Sequence, residues 1–340
     1  MRQSFSLLMV TLVAFSGGSA LAATQLTGAG ATFPYPLYSK WISDFQKDHP
    51  DTQINYQSIG SGGGIAQFTK KTVDFGATDS PMTNEQIAKV EGPVVHVPTA
   101  LGAVVLATNL PGVTARLKLT GEVVADLFLG KITQWNDARI VALNPGTAMP
   151  NQPVMIVHRS DGSGTSAVFT DYLAKVSPDW KSKVGAGTAV NWPVGLGGKG
   201  NEGVAGLIKQ TPGAMGYVEL IYATNNQMPV ALLRNRAGNY VDPSPRTVTA
   251  AAAANANSIP ADFRVSITDS AGKDAYPISS FTYLLVGKSL KLGADKGKAL
   301  LSFLNWALTD GQKTAEGLSY APLPAELAKK VRAAVKGIAL

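Results

Sequence analysis

The sequence predicts an α/β protein with two lobes, each a mostly parallel sheet flanked by helices. Three observations carry this prediction. Short strand-like segments alternate with Gly/Ser/Thr turns and helical patterns, the order that builds parallel layers. The chain has 340 residues. About 320 of them remain once an N-terminal targeting segment is set aside, enough for two domains of roughly 150 residues. No Gly/Ser-rich or Pro-rich linker divides the chain, so the lobes are expected to be joined by internal crossings.

The targeting segment comes first. Arg2 supplies a positive start, and Phe5 to Phe15 is an apolar run broken only by Ser6 and Thr11. Small residues follow, and Ala20-Leu21-Ala22 gives an A-x-A cleavage pattern. The run is too short to span a bilayer, which takes roughly 20 residues. Residues 1–22 are therefore expected to be a signal peptide, and the periplasm the destination. The chain contains no cysteine, so neither a disulfide nor a lipid anchored through a thiol is expected.

Next, Thr24–Thr27 reads as a strand and Gly28–Ala31 as a turn. A helix face follows at Tyr38, Trp41, Ile42 and Phe45, with Pro34 and Pro36 in its first turn, where a missing N–H costs little. Ile54–Gln57 reads as a strand, Gly60–Gly64 as a Gly-rich turn, and a short helix starts at Ile65. Val73–Thr78 reads as a strand. Thr83 to Gln86 is a T-x-x-Q capping box. Val154–Val157 is an apolar strand leading into Arg159-Ser160-Asp161-Gly162-Ser163-Gly164-Thr165. A helix follows with a face at Val168, Phe169, Tyr172, Leu173 and Val176. Ala250–Ala256 reads as helix. Crossings between lobes are expected near Val97–Leu101 and Pro277–Thr282. The expected division is residues 23–98 with 280–340 for the first lobe and 99–279 for the second.

The formal net charge is +7. The Lys and Arg residues are scattered, without the clustered basic patch and interleaved aromatics that nucleic acid would require. The excess fits solubility and mild steering of small anions.

Three turns share one physical property. Thr32-Phe33, Gly60-Ser61-Gly62-Gly63-Gly64 and Gly162-Ser163-Gly164-Thr165 each place backbone N–H groups and small hydroxyls at a helix start. The first N–H groups of a helix have no internal partner, and the helix dipole there favours negative charge. Any one such turn can be ordinary capping; three in one chain point to an anion. Arg159 stands just after a strand end, where a guanidinium can bind an oxyanion bidentately. The plainer alternative for it is a surface ion pair with Asp161.

Several motifs together resemble the periplasmic phosphate-binding proteins of bacterial high-affinity phosphate ABC transporters, within the type II periplasmic binding protein family. They are Leu26-Thr27-Gly28-Ala29-Gly30-Ala31-Thr32-Phe33-Pro34, Ile59-Gly60-Ser61-Gly62-Gly63-Gly64, Val73 to Asp79 and Arg159 to Ser166. Leu129-Gly130-Lys131-Ile132, Trp192 to Asn201 and Gly213-Ala214-Met215-Gly216-Tyr217 add to them. The resemblance covers nearly the whole chain after residue 22. It implies a ligand cleft at a hinge between two lobes, closing over phosphate. It implies a phosphate-binding set of Thr32, Phe33, Ser61, Asp79, Arg159, Ser163, Gly164 and Thr165, with Asp161 orienting Arg159. It implies a monomer that delivers phosphate to the permease subunits of an ABC transporter with a cytoplasmic ATPase. Catalysis, a cofactor and a metal are not expected.

Asp79 is the odd member, an acceptor in a site for an anion. Phosphate at neutral pH keeps at least one P–OH, which a carboxylate can accept. Sulfate has none and would meet Asp79 lone pair to lone pair. A site built around a ligand hydroxyl can reject an analogue lacking it by about 10⁴–10⁵.

Other readings compete. Gly195-Leu196-Gly197-Gly198-Lys199-Gly200 matches the dinucleotide pattern G-x-G-x-x-G, with Glu219 about 20 residues on. Trp192-Pro193 precedes it in place of an apolar strand, so a loop is expected there. Lys199-Gly200 lacks the Ser or Thr of a P-loop. His49, His96 and His158 form no metal motif. A secreted phosphatase would need a nucleophile with a base or a metal cluster, and neither is visible. A receptor for another oxyanion, such as sulfate or molybdate, is the remaining rival.

Overall fold

The computed structural model describes residues 23–340; the expected signal peptide, residues 1–22, lies outside the described residues. The strands are β1 Thr24–Gly30, β2 Thr52–Ser58, β3 Phe75–Thr78, β4 Val94–Asn109, β5 Lys118–Leu119 and β6 Met155–Arg159. They continue with β7 Leu196–Gly198, β8 Ala214–Glu219, β9 Leu232–Arg234, β10 Tyr240–Val241 and β11 Ser279–Gly287. Eight of them hydrogen-bond in the order β2-β1-β3-β11-β4-β8-β6-β7, and β10-β9-β5 form a small second sheet.

Three parallel strands lie at each end of the large sheet. β2, β1 and β3 are parallel to one another, as are β8, β6 and β7. The middle is antiparallel. β11 pairs antiparallel with both β3 and β4, and β4 pairs antiparallel with β8. β4 is a 16-residue strand serving both halves. Its residues up to Ala103 pair with β11, and those from Val104 onward pair with β8. The change of partner falls just beyond the expected crossing at Val97–Leu101. β11 begins at Ser279, inside the second expected crossing. The Val104 N–H donates to the Ile278 carbonyl at 2.9 Å, so the segments expected to cross lie side by side.

Helices cover both faces of the sheet, as continuous apolar strands demand. The helix Tyr35–Asp48 buries Leu37, Tyr38, Trp41 and Phe45. Full burial of a side chain such as Phe45 contributes roughly 1.5–3 kcal/mol. The Trp41 indole N–H donates to the Gly311 carbonyl at 2.8 Å, fixing the C-terminal segment on the first half. The helix Gly164–Val176 buries Val168, Phe169, Tyr172 and Leu173, and Tyr217 of β8 stacks on Phe169 at 4.4 Å. The capping box opens the helix Asn84–Ile87 as expected.

Three local expectations are corrected. Gly28–Gly30 belongs to β1 rather than to a turn, because these residues continue the parallel ladder with β2. The helix expected from Ile65 begins at Ser61, so Gly62 to Gly64 are its first turns. The missing side chain of Gly62 lets the backbone press against the opposite lobe, its N–H donating to the Gly162 carbonyl at 2.8 Å, and that of Gly64 lets the helix lie against β1 and β3. Third, the glycine run at Gly195–Gly200 is not a loop. It forms edge strand β7, pairing with β6, and then opens the helix Gly200–Gln210. With three residues and no apolar run, β7 is held by its ladder bonds to β6, a pairing that a periodicity reading does not register.

Candidate functional site

Four helix starts meet where the two halves of the sheet face each other. Two come from the β1–β3 half. Thr32 and Phe33 precede the helix Tyr35–Asp48, and Ser61 opens the helix Ser61–Thr69. Gly60, just before Ser61, sits at φ 85°, which favours glycine, and any Cβ there would collide with the Asp161 carboxylate. The other two come from the β6–β8 half. Ser163 caps the helix Gly164–Val176 by accepting from Ser166 N–H at 3.0 Å, and Asn201 lies in the first turn of the helix Gly200–Gln210.

All eight candidate residues are brought together and buried. Phe33, Ser61, Ser163 and Thr165 are 0% exposed, and Thr32, Asp79 and Arg159 are at most 3% exposed. Gly164 is buried as well. A Cβ on Gly164 would lie 2.5 Å from Asp79 Oδ2 and collide with Ser61 Oγ, so the turn of one half sits directly on the other. Among the described residues, the N–H groups of Thr32, Phe33, Ser61, Gly164 and Thr165 have no partner within the chain. Buried N–H groups without partners are costly and rare in finished structures. Several of them converging in one place is a binding arrangement.

Arg159 is held rather than free. Its Nε donates to Asp161 Oδ1 at 2.8 Å and Nη2 to Oδ2 at 2.6 Å, with the Arg159 side chain 1% exposed. Its Nη1 reaches only Thr165 Oγ1, at 3.4 Å. The plainer alternative of a surface ion pair is therefore excluded. Burial pushes the Asp161 carboxyl up, but the guanidinium and the Gly200 N–H more than offset this and hold it below the usual range. Tyr217 steadies the Arg159 backbone, its hydroxyl accepting from Arg159 N–H at 3.1 Å.

Asp79 stands at the end of β3. Its Oδ1 accepts from Thr282 Oγ1 at 2.9 Å, and its Oδ2 faces Ser61 Oγ at 3.3 Å. Burial pushes its carboxyl up to about 7, against the lowering effects of Thr282, Arg159 and Ser61. A cavity of about 480 Å³ reaches Asp79 between the lobes, lined on the way by Ser80, Asp171, Thr188 and Arg264. Arg264 spans it, donating to the Met82 carbonyl at 3.1 Å and to Asn84 Oδ1 at 2.8 Å.

Three residues of this neighbourhood escaped the reading of the sequence. Thr282 fixes Asp79 from a strand distant in the chain. Tyr217 holds Arg159 through its hydroxyl, which no sequence pattern signals. Asn201 follows the glycine run that was expected to be a loop. Its Nδ2 donates to Thr32 Oγ1 at 2.8 Å and to Thr165 Oγ1 at 3.1 Å. The run is strand, turn and helix, and Asn201 stands at a fourth helix start, whose Gly200 and Asn201 N–H groups go to Asp161 and Thr32. Among the described residues no group of His, Asp and Glu is placed to hold a metal ion, and no helix is long and apolar enough to cross a membrane.

A model of the PBP superfamily domain matches residues 17–310. The phosphate-binding protein PstS of Xylella fastidiosa is 48% identical over 311 residues, 91% of this chain and 84% of that protein. The phosphate-binding protein PstS of Pasteurella multocida is 45% identical, covering 92% of this chain and 90% of that one. The solved structure of a phosphate-binding protein from Stenotrophomonas maltophilia superposes with a TM-score of 0.69 at 21% identity, over 91% of this chain and 93% of that one. Four helix starts around a buried Arg–Asp pair, on a sheet whose halves share one long strand, are thus found in a chain with close relatives across most of its length: it belongs to the PstS phosphate-binding proteins of the PBP superfamily.

Proposed function

We propose that this chain binds inorganic phosphate in the periplasm and delivers it, without turnover, to the permease of an ABC transporter driven by a cytoplasmic ATPase. One observation carries the reading: the buried N–H groups of Thr32, Phe33, Ser61, Gly164 and Thr165 lack partners within the chain, in a site that also holds Arg159 and the carboxylate of Asp79. An oxyanion answers every donor, and only one that also carries a proton suits the acceptor. The names of the relatives point the same way.

In this reading the N–H groups of Thr32 and Phe33 and the Thr32 hydroxyl grip the anion from one side. Ser61 adds its N–H and hydroxyl. Ser163, Gly164 and Thr165 donate from the opposite lobe, and Arg159, aligned by Asp161, neutralises charge. Asp79 shares one proton with the ligand. In its ionised form Asp79 accepts from P–OH. The lobes comprise residues 23–98 with 280–340, and residues 99–279. The protein works as a monomer.

Equilibrium titration of the purified mature chain with phosphate and with sulfate tests this. Tight phosphate binding with negligible sulfate binding is expected. Preference for sulfate would replace the ligand, and turnover of a chromogenic phosphate ester would make the chain a phosphoesterase.

A further inference from the structure

Two threonine hydroxyls in the site share an arrangement that goes beyond a list of ligands. A hydroxyl has two acceptor lone pairs and one proton. The Thr32 Oγ1 accepts from Asn201 Nδ2 at 2.8 Å and from Asn201 N–H at 3.3 Å. The Thr165 Oγ1 accepts from Asn201 Nδ2 at 3.1 Å and from Arg159 Nη1 at 3.4 Å. Both hydroxyls therefore have their acceptor capacity engaged. Among the described residues neither hydroxyl proton has an acceptor. Each can only donate, and what remains for it to donate to is the ligand.

Asn201 is suited to impose this. It is 0% exposed. Its Oδ1 accepts from Glu219 N–H at 2.9 Å, which fixes the side of the amide that carries the NH₂ group. That NH₂ has two protons, and each goes to one threonine. Thr32 belongs to the β1–β3 half, whereas Thr165 and Asn201 belong to the β6–β8 half. The contact with Thr32 exists only when the halves are together.

We propose that Asn201 is a positioning residue that turns the hydroxyl protons of Thr165 and, once the halves close, of Thr32 toward the bound oxyanion. The proposal rests on the phosphate-binding reading of the site. An amide is required. A carboxylate at the same place would accept from both hydroxyls, draw their protons away from the ligand and add a negative charge beside an anion. An alanine would leave each hydroxyl with one donor in place of two, the residue 201 N–H for Thr32 and Arg159 Nη1 for Thr165, so neither proton would be fixed.

A mutant cycle on the mature chain tests it, with phosphate affinity measured by calorimetry and melting recorded in phosphate-free buffer. Asn201→Ala is introduced into the wild type and into the Thr32→Val, Thr165→Val background. A loss of about tenfold is expected in the wild type, as for hydrogen bonds to a charged group. In the background without hydroxyls, less than about twofold is expected, because Asn201 then has nothing to orient. Equal losses in the two backgrounds would overturn the proposal, since a merely structural role does not act through the hydroxyls. If Asn201→Ala melts below the assay temperature, Asn201→Asp runs the same cycle, because it keeps the acceptor for Glu219 N–H. It should cost more with the hydroxyls present than without, and equality again refutes the role. Failure of the wild type to bind phosphate would instead remove the functional reading, and this inference with it.

Discussion

The Thr282 hydroxyl donates to Oδ1 of Asp79 at 2.9 Å, joining residues 203 positions apart in the chain. Thr282 lies on β11, next to an irregularity in its pairing with β4. The one acceptor in a site of donors is thus aimed by a strand of the hinge region.

That aim leads to a prediction about selectivity. Asp79→Asn keeps the size and removes the charge. It also supplies an NH₂ donor that can face an ionised oxygen, while its carbonyl can still accept from P–OH. Sulfate binding should strengthen and phosphate binding change little, so the preference narrows. Paired titrations of wild type and variant at one pH and salt concentration measure this. Unimproved sulfate binding in the variant would assign the selectivity to shape or donor count instead.

A second prediction concerns pH. Burial raises Asp79 from 3.8 to about 7. Between those values the folded, ligand-free chain holds a proton that the unfolded chain has released. The stability linked to it is fully present below about pH 4 and is lost as the pH rises through about 7. A shift of this size corresponds to roughly 4 kcal/mol at most. From pH 5 to pH 8 Asp79 therefore pulls the phosphate-free melting temperature down, against the rise from His96, which burial lowers to about 4, and Asp79→Asn should remove that downward share. Glu219, also raised by burial, acts in the same direction and leaves a residual slope. Parallel slopes in wild type and variant would clear Asp79 of the effect.

Arg159 gives a third. It is buried and doubly bonded to Asp161. Truncating one member of a buried charge pair commonly costs about 2–5 kcal/mol. Arg159→Ala should weaken phosphate binding by at least about 30-fold. Calorimetry showing wild-type affinity would remove Arg159 from the site.

The fourth separates closing from folding. A Cβ on Gly164 would strike Ser61 and Asp79 across the cleft, but would meet neither if the lobes stood apart. Gly164→Ala should abolish phosphate binding while leaving the phosphate-free melting temperature within a few degrees of wild type. Small-angle scattering should show phosphate compacting the wild type and not the variant. A variant that still compacts would mean that the lobes do not meet at Gly164.

Much of this was legible in the sequence. The faces at Tyr38, Trp41 and Phe45 and at Phe169, Tyr172 and Leu173 were clear because each repeats at helical spacing and is buried on one side. The anion turns were clear because Gly and Ser or Thr at a helix start have a local meaning. Thr282 was not legible, because its role depends on a pairing with residues far away in the chain. β7 was not legible because three residues of Leu and Gly carry no period; only β6 beside them makes a strand. Asn201 was hidden with it. Gly62 to Gly64 were misread because glycine in sequence signals a turn, whereas here it permits a helix to approach another backbone.

β4 and β11 cross between the lobes side by side, tied by the bond from Val104 N–H to the Ile278 carbonyl. Two adjacent, hydrogen-bonded ribbons resist twisting and sliding far more than bending across their width. A hinge at this pair would leave the lobes with essentially one direction of travel. Each closure then returns Gly164 to Ser61 and Asn201 to Thr32 in the same alignment, with little orientational search. Part of the entropy of assembling a many-donor grip is thus removed at folding, when the two ribbons pair, before any ligand arrives.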